Sequence, residues 1–494
     1  KKLGIATDYI VEDSSEGWAN SLLFGLKEWF AGRDVKFNYD FLRKAGMPLK
    51  VKGGRASGPD PLKFVHDYCR ARVLSRQGSY LRTIDAHDMM CATGGAAVSG
   101  GVRRTAMISL FSWDDLEMRT CKDGTKLEQN PVRWNANNSA VWPETVTQME
   151  VIDQMVEMAR NERGEPGIFA RENVLRTKPK RREVAEWGQN PCGEIMLRPY
   201  QFCNLSIAVA RPDDGFADLL DKVEIATIIG TIQSMATNFP GMRPEWKQNS
   251  EEERLLGVDI TGQRDCPAVQ DPTVMERLKK HAITLNKKYA KILGINQSAA
   301  VTCVKPSGNS SQLLNCSSGL HARWAPYYLR RTRVSTATPL YRVLKDSGVP
   351  MSPENGQQAD TANTYVVAWP VKSPEGSMTR KDLTAIEQCD YWLMNKVHWT
   401  EHNPSVTITY QPDEVLPLTQ WVWDHRDIIG GMAFLPADNA QYQQPPYEEI
   451  TAEEYEKAVA DFPDIDFSLL FAYEHDDMTT AAQELACMAG ACDI

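Results

Sequence analysis

A cysteine and a glutamate stand two residues apart in Asn190-Pro191-Cys192-Gly193-Glu194. Proline and glycine on either side of the thiol favour a tight turn, where both side chains can face one cavity. Cys203 follows in Gln201-Phe202-Cys203-Asn204-Leu205-Ser206, at the head of a β-rich run. Cys192 and Cys203 supply two thiols, Glu194 a carboxylate able to move protons, and Asn190 an amide able to orient a hydroxyl. Together they make a redox-competent set. A cysteine taken alone is more often just a small buried residue; the grouping favours chemistry.

A second thiol pair closes the sequence, in Cys487-Met488-Ala489-Gly490-Ala491-Cys492-Asp493-Ile494. Two cysteines around a glycine-containing spacer on an exposed tail can form a small disulfide loop and reach a distant site. Zinc competes for this pattern, but a structural zinc takes four ligands and no second Cys or His pair lies nearby. A redox shuttle is the better reading. Three glycine-rich segments offer backbone N–H groups to phosphates: Gly53-Gly54-Arg55-Ala56-Ser57-Gly58-Pro59, Ser99-Gly100-Gly101-Val102-Arg103-Arg104-Thr105 and Lys305-Pro306-Ser307-Gly308-Asn309-Ser310-Ser311. The second adds two guanidinium groups, and the third follows an apolar strand and can open a helix. None matches a Walker A loop or a dinucleotide fingerprint. Each alone reads as a turn; three on one chain point to a nucleotide ligand.

These residues need a scaffold. Ser14 or Ser15 can cap a helix through Trp18, Leu22, Leu23, Leu26 and Trp29 that ends at Gly32. Helical periodicity recurs over 61–76, 145–162, 216–237, 274–293, 379–396 and 415–424. Between these lie β-rich runs at 106–111, 205–210, 299–304, 365–369, 405–410 and 431–435. Strands separated by long helices predict crossover units and a parallel sheet or barrel. The apolar runs after 299 predict strands buried on both faces. The polar stretch 350–363 reads as a loop.

Composition narrows the class. The 494 residues are 42% hydrophobic and 24% charged, which suits a globular chain with a large core rather than a disordered one. No apolar run is long enough for a transmembrane helix. A net charge of −10 argues against a broad nucleic-acid surface, so neither nucleic acid nor membrane is expected as a partner. Eleven cysteines, an odd number spread over the whole chain, do not form a secreted disulfide framework; a reducing cytoplasm is the expected location.

Taken together, the motifs resemble the adenosylcobalamin-dependent (class II) ribonucleotide reductases, nearest the monomeric ribonucleoside-triphosphate reductase type. The resemblance runs through most of the chain. It is carried by Val11-Glu12-Asp13-Ser14-Ser15-Glu16-Gly17-Trp18, residues 53–59, 100–106 and 190–194, Leu255-Leu256-Gly257-Val258-Asp259-Ile260-Thr261-Gly262, residues 305–311, Pro326-Tyr327-Tyr328-Leu329-Arg330-Arg331 and the terminal cysteine pair. It implies an α/β fold, a ten-stranded α/β barrel with a central finger loop, here lacking its N-terminal part. Residues 1–480 would be the catalytic barrel and 481–494 a flexible redox-active tail.

The resemblance also implies roles. Cys192 would become a thiyl radical, Glu194 would be the acid–base group near the ribose 3′-hydroxyl, and Asn190 would orient the ribose. Cys203 would be one of two reducing thiols. Cys487 and Cys492 would re-reduce the resulting disulfide and be reduced in turn by thioredoxin or a similar dithiol. Ser307, Gly308, Asn309 and Ser310 would hold the substrate phosphates, with Gly54, Ala56 and Ser57 as the opposite wall. Asp13 and Ser14 resemble the site of a deoxynucleoside triphosphate effector, and Arg103 and Arg104 the loop linking effector to substrate. The cofactor would be adenosylcobalamin, and the setting the cytoplasm of a bacterium or of a virus-infected bacterial cell.

The sequence departs from the family at one point. Its members carry, before the region of Asp13, a segment with the first barrel strand and the other reducing cysteine. Cys69, Cys91 and Cys121 do not sit in that strand context. A partner chain supplying this part is one expectation. Two alternatives remain at this stage: a catalytic chain whose radical comes from a ferritin-like subunit, and a non-catalytic nucleotide-binding portion. The paired Tyr327-Tyr328 is similar to the tyrosines of class I relays, but its place soon after the Lys305-Pro306-Ser307-Gly308 loop fits class II better.

Overall fold

Ser14 caps the first helix as its residue type demands. Its hydroxyl accepts from the Gly17 N–H at 2.9 Å, and Ser15–Phe30 follows as one helix. The structure is a computed structural model that describes residues 6–47, 56–96, 106–161, 164–336, 338–354, 358–359, 362, 364–437 and 444–473. Gly54, Arg103, Arg104, Cys487 and Cys492 lie outside the described residues. Trp29 is fully buried against Val65, Cys69 and Val73 of the Asp60–Ser75 helix, and Met89 of Thr83–Ala96 joins them. The parallel pair Thr7–Ile10 and Val35–Asn38 lies at the margin of this helical layer.

The larger part is a ladder of strands. Asn204–Val209 pairs in parallel with Leu256–Thr261. Val258 is bridged to Thr302, and Val304 to Pro404, just ahead of Thr407–Tyr410. Thr407–Tyr410 runs parallel to Gly431–Pro436. One antiparallel seam joins Gly431–Pro436 to Gly167–Phe169, after which Ala136–Val141 and Met107–Ser112 continue in parallel. The seam divides the ladder into two parallel groups of opposite direction. Among the described residues no pairing joins Met107–Ser112 to Asn204–Val209, so these two are its edges.

Helices complete the crossovers that parallel strands require. Gln148–Asn161, Phe216–Gln233, Pro272–Leu293, Ala385–His398 and Val415–Asp424 lie between strands in sequence. Val151, Val223, Leu278, Trp392 and Val422 from these helices enter one core with Leu256, Val258 and Ile408 from the strands. The 299–304 run is buried throughout, as an apolar strand with neighbours on both sides must be. It makes isolated bridges rather than a long ladder.

The sequence expectation of parallel strands fails for the 365–369 run. Met351–Pro353, Thr364–Lys372, Tyr327–Ser335 and Tyr447–Glu449 form a separate antiparallel sheet in that order. Its longest pairing runs from Tyr327↔Lys372 to Ser335↔Thr364. The run 350–363, read as loop, therefore contains a short edge strand. Three residues ending at a proline are too few to show a period.

Within the larger part, a short hairpin of Gly188–Gln189 and Met196–Leu197 is braced by a buried ion pair. Arg182 donates to both oxygens of Glu253, at 3.0 and 2.9 Å, and to the Met196 carbonyl at 2.9 Å. Gln201 adds a bond to Glu253 at 2.6 Å, and the guanidinium lies over the Trp187 ring. Removing one partner strands a buried charge, whereas replacing both by apolar residues does not. Glu253→Ala is therefore expected to lower unfolding free energy by ~3–5 kcal/mol in urea titration, and Arg182→Met with Glu253→Met to recover most of that loss.

Candidate active site

The hairpin carries Cys192 at its tip. Gly188 faces Leu197 and Gln189 faces Met196. The turn closes through Gly193 N–H to Asn190 O at 2.9 Å and Asn190 N–H to Ile195 O at 3.1 Å. Gly193 has φ +79°, a conformation that glycine adopts without strain. The Asn190 side-chain oxygen accepts from the Ile195 N–H at 2.9 Å, and its amide also bonds the Glu194 carboxylate. Asn190 thus builds the turn and steadies Glu194 in addition to any substrate contact. Asn137, on a neighbouring strand, donates to the Pro191 carbonyl at 2.9 Å.

Cys192 is exposed while the next four residues are buried. It faces a cavity of about 440 Å³ walled by Gln189, Asn137, Ser139, Trp134, Ser405 and Thr407, among others. That volume is in the range of small-molecule sites. A second cavity, of about 290 Å³, adjoins it through Pro306, Val406, Thr407 and Leu435. Gly308, Gln312, Trp324, Tyr328, Arg380 and Tyr447 line this one.

Burial sets the protonation states. Although Cys192 touches open space, protein surrounds it closely. Desolvation pushes its thiol up to about 11, and the Glu194 charge adds to this while Lys305 opposes it. Glu194 is 1% exposed, and one of its oxygens has no protein partner. Desolvation raises its carboxyl above the ordinary value, partly offset by the Asn190 bond and by Lys305. Cys203 packs against Leu197, Leu255, Ala299 and Ala300, and burial followed by the Glu194 charge raises its thiol too. Near neutrality Cys192 is therefore a hydrogen-bearing thiol rather than a thiolate. Such a group is suited to giving and taking a hydrogen atom and poorly suited to nucleophilic attack.

The structure gives the other sequence candidates varied surroundings. Ser307 is buried with φ +53° and donates to Asp259 at 2.8 Å. Gly308 faces the second cavity, and Asn309 accepts from Arg330 at 3.2 Å. Ser310 begins a single turn of helix. Ala56 bonds to the backbone of Met47 and Gly46, and Ser57 lies beside it; among the described lining residues neither borders the two cavities. Asp13 pairs with Arg43 at 2.8 Å and Ser14 serves as the helix cap.

Several residues at the site were not singled out from sequence. Asp259 is fully buried in the Leu256–Thr261 strand and holds the 305–311 loop by accepting from Lys305 N–H at 2.9 Å and from Ser307. Burial raises its carboxyl to about 7, against the pull of those two bonds. A carboxylate inside an apolar strand was the available signal. Cys303 is a fully buried thiol whose surroundings include Asp259, Glu194 and Cys203. A Cβ placed on Gly257 would sit 3.1 Å from its sulfur and 2.4 Å from Leu205, so the strand needs glycine there. Among the described residues no group of three or more His, Cys, Asp or Glu could hold a metal ion. No helix among them is long and apolar enough to cross a membrane.

The fold, a thiol-tipped hairpin within strands divided by one antiparallel seam, is similar to that of a B12-dependent (class II) ribonucleotide reductase. A crystal structure so described matches with a TM-score of 0.73 at 22% identity, covering 96% of this chain and 70% of that one. In sequence the chain is a homologue of three proteins named for one activity. It is 27% identical over 485 residues to a probable adenosylcobalamin-dependent ribonucleoside-triphosphate reductase of Dictyostelium discoideum, covering 94% of this chain. It is 28% identical to the adenosylcobalamin-dependent ribonucleoside-triphosphate reductases of Euglena gracilis and of Lactobacillus delbrueckii, over 91% of this chain in each case. The chain spans 62% of the first two relatives and 65% of the third. No protein-family model matches it.

The raised Cys192 thiol has a direct test. Despite its exposure, its alkylation by iodoacetamide at pH 7.5, followed by peptide mapping, is expected to be at least about tenfold slower than that of a free cysteine, whose pKa is about 8.5. The rate should climb steadily as pH approaches 11.

Proposed function

We propose that the chain reduces ribonucleotides, in the triphosphate form, to 2′-deoxyribonucleotides by thiyl-radical chemistry that depends on adenosylcobalamin. The observation that carries this is the protonated, accessible Cys192 on a rigid tip, two residues from a buried carboxyl with an unpartnered oxygen, over a cavity. The names of the relatives supply the substrate form and the cofactor.

The cavity at Cys192, at about 440 Å³, has room beside the thiol for a nucleoside-sized part of such a cofactor, the rest of which would lie outside it. Trp134, Ile108 and Leu435 are its apolar walls and Asn137 and Thr407 its polar ones, and these residues would hold it. Lys122 and Glu165, the charged residues of the lining, neutralise each other at 2.7 Å. When bound, adenosylcobalamin supplies a carbon radical by homolysis of its cobalt–carbon bond.

In the proposed reaction the Cys192 sulfur, having lost its hydrogen atom, takes the hydrogen from ribose C3′. Glu194 accepts the 3′-hydroxyl proton. The 2′-hydroxyl, protonated by one thiol of the Cys203 pair, leaves as water. The other thiol gives a hydrogen atom to C2′, the pair closes to a disulfide as its remaining electron and the Glu194 proton return to the 3′ position, and Cys192 gives its hydrogen atom back to C3′. The substrate phosphates extend towards Ser307, Gly308, Asn309 and Ser310; among the described lining residues Ala56 and Ser57, expected as the opposite wall, do not border either cavity. A deoxynucleoside triphosphate effector binds at Asp13 and Ser14 and acts through Arg103 and Arg104. Cys487 and Cys492 carry electrons inward from thioredoxin or a similar dithiol, in a reducing cytoplasm.

The second reducing thiol belongs beside Cys203. The Asn204–Val209 strand lacks a ladder partner on its outer edge among the described residues. A cavity of about 420 Å³ runs along it, bordered by Ile225 and Ile229, which are 58% and 55% exposed. A further strand docked on this edge, from a polypeptide segment or a partner chain, would bring a thiol to Cys203.

Pure protein with adenosylcobalamin, a dithiol and a ribonucleoside triphosphate is expected to yield the deoxyribonucleotide, read by chromatography. Cys192→Ser should cut this by at least about a thousandfold while circular dichroism is unchanged, the loss of ~4 kcal/mol of barrier lowering. Activity that survives Cys192→Ser refutes the reading. Activity that needs a separate metal subunit refutes the cobalamin dependence, and activity that needs an added N-terminal polypeptide supports the docked strand.

Glu194→Gln should lower kcat by about 10²–10⁴-fold. The wild-type rate should fall as pH drops through the raised Glu194 pKa, above 4.5, because only the ionised carboxyl accepts the proton; the Gln variant should lack that limb. Cys487→Ser with Cys492→Ser should reduce turnover with thioredoxin at least about tenfold more than turnover with a small dithiol. Equal losses with the two reductants would refute the shuttle.

A further inference from the structure

Neighbouring residues of one distant segment hold the backbone of the thiol-bearing tip. Ser405 Oγ donates to the Cys192 carbonyl at 2.5 Å. Asn403 donates its side-chain amide to the Gly193 carbonyl at 3.0 Å and its backbone N–H to the Glu194 carbonyl at 3.1 Å. His402 accepts from the Met196 N–H at 3.4 Å. We infer that residues 401–405 are a clamp that fixes the hairpin tip, with Asn403 and Ser405 as positioning residues that set where the Cys192 sulfur and the Glu194 carboxyl stand. This rests on reading Cys192 and Glu194 as the reacting pair.

The clamp is itself tied to the core. Glu401 pairs with Arg181 and accepts from the Val301 N–H at 2.9 Å. His402 N–H and Glu401 N–H both donate to the Thr302 carbonyl, at 3.1 and 3.0 Å. The His402 ring is doubly engaged. Its Nε2 lies 2.9 Å from the Leu256 carbonyl, which can only accept, so Nε2 carries the proton and Nδ1 is left free to accept from Met196. The segment thus links the buried 300–304 run to the hairpin through hydrogen bonds on both sides.

Two glycines make room for it. A Cβ on Gly430 would meet the Asn403 side-chain oxygen at 2.9 Å, and one on Gly431 would meet the Gln189 side-chain oxygen at 2.4 Å. Asn403 also donates to the Gly431 carbonyl at 3.0 Å. Bare backbone at 430–431 lets the amides of Asn403 and Gln189 nest against it, one from the clamp and one from the hairpin. Cys192, Gly193 and Ser405 border the same cavity, so the clamp acts at its wall and reaches the reacting atoms through the tip.

A shift of the tip by about 1 Å is enough to cost about a hundredfold in rate where geometry must be near attack. Ser405→Ala in the full chain, with the cofactor added, is expected to lower kcat about tenfold or more while KM for the ribonucleotide stays within about twofold. Alkylation of Cys192 by iodoacetamide should change at least about threefold, with hydrogen exchange faster across 190–196. Ser405→Thr, which keeps the hydroxyl, should recover most of both. A well-folded Ser405→Ala with unchanged kcat and unchanged alkylation overturns the clamp, as does equal loss in Ala and Thr. Asn403→Ala should move the same readouts further; if it fails to fold, the Ser405 pair decides. Absence of turnover in the wild type would instead sink the proposed reaction, and the alkylation and exchange arms would still judge the clamp.

Discussion

Poor hydration at the tip of one short hairpin is the constraint from which the site follows. An ionised sulfur there would be only partly hydrated and a carboxylate at Glu194 hardly at all, so Cys192 keeps its hydrogen and Glu194 is drawn towards its neutral form. The same environment raises Cys203. Lys305 and the Asn190 amide pull the other way and offset part of that shift. In the proposed reaction Cys192, Glu194 and Cys203 would serve, by position, as a hydrogen-atom carrier, a proton acceptor and a protected reductant.

Such a tip is useful only if it does not move, and the fold is arranged to hold it. Arg182 and Glu253 brace the Met196 side of the hairpin, Asn137 reaches the tip from a neighbouring strand, and the 401–405 segment grips its backbone. Asp259 ties the 305–311 loop to the same strand layer, so the loop proposed for the phosphates and the tip proposed for the sugar share a support. A buried carboxyl raised to about 7 is an expensive anchor, and its cost is offset by two hydrogen bonds that order a loop carrying a positive-φ serine.

What the sequence made legible was local. The Ser14 cap, the 415–424 helix and the turn at Asn190–Pro191–Cys192–Gly193–Glu194 follow from residue type and short spacing, and the structure has them where they were read. The likeness of the fold to that of a class II reductase agrees with the fold expected from the motifs. The antiparallel sheet at Tyr327–Ser335 was not legible, because Tyr-Tyr-Leu-Arg-Arg-Thr-Arg shows no alternation that distinguishes one pairing direction from the other. Asn403 and Ser405 gave no signal either: they act through backbone carbonyls some two hundred residues away, at separations of 210 and 213. Contacts made to main-chain atoms leave no trace in the partner's side-chain type.

The central claim is that the Cys192 sulfur carries an unpaired electron during turnover. Rapid-freeze electron paramagnetic resonance tests it most directly, on protein mixed with adenosylcobalamin and a ribonucleoside triphosphate and prepared with ordinary or β-deuterated cysteine. A sulfur-centred signal that narrows on deuteration and vanishes in Cys192→Ser is the predicted result. A signal that forms during turnover but is indifferent both to deuteration and to that substitution would contradict the account.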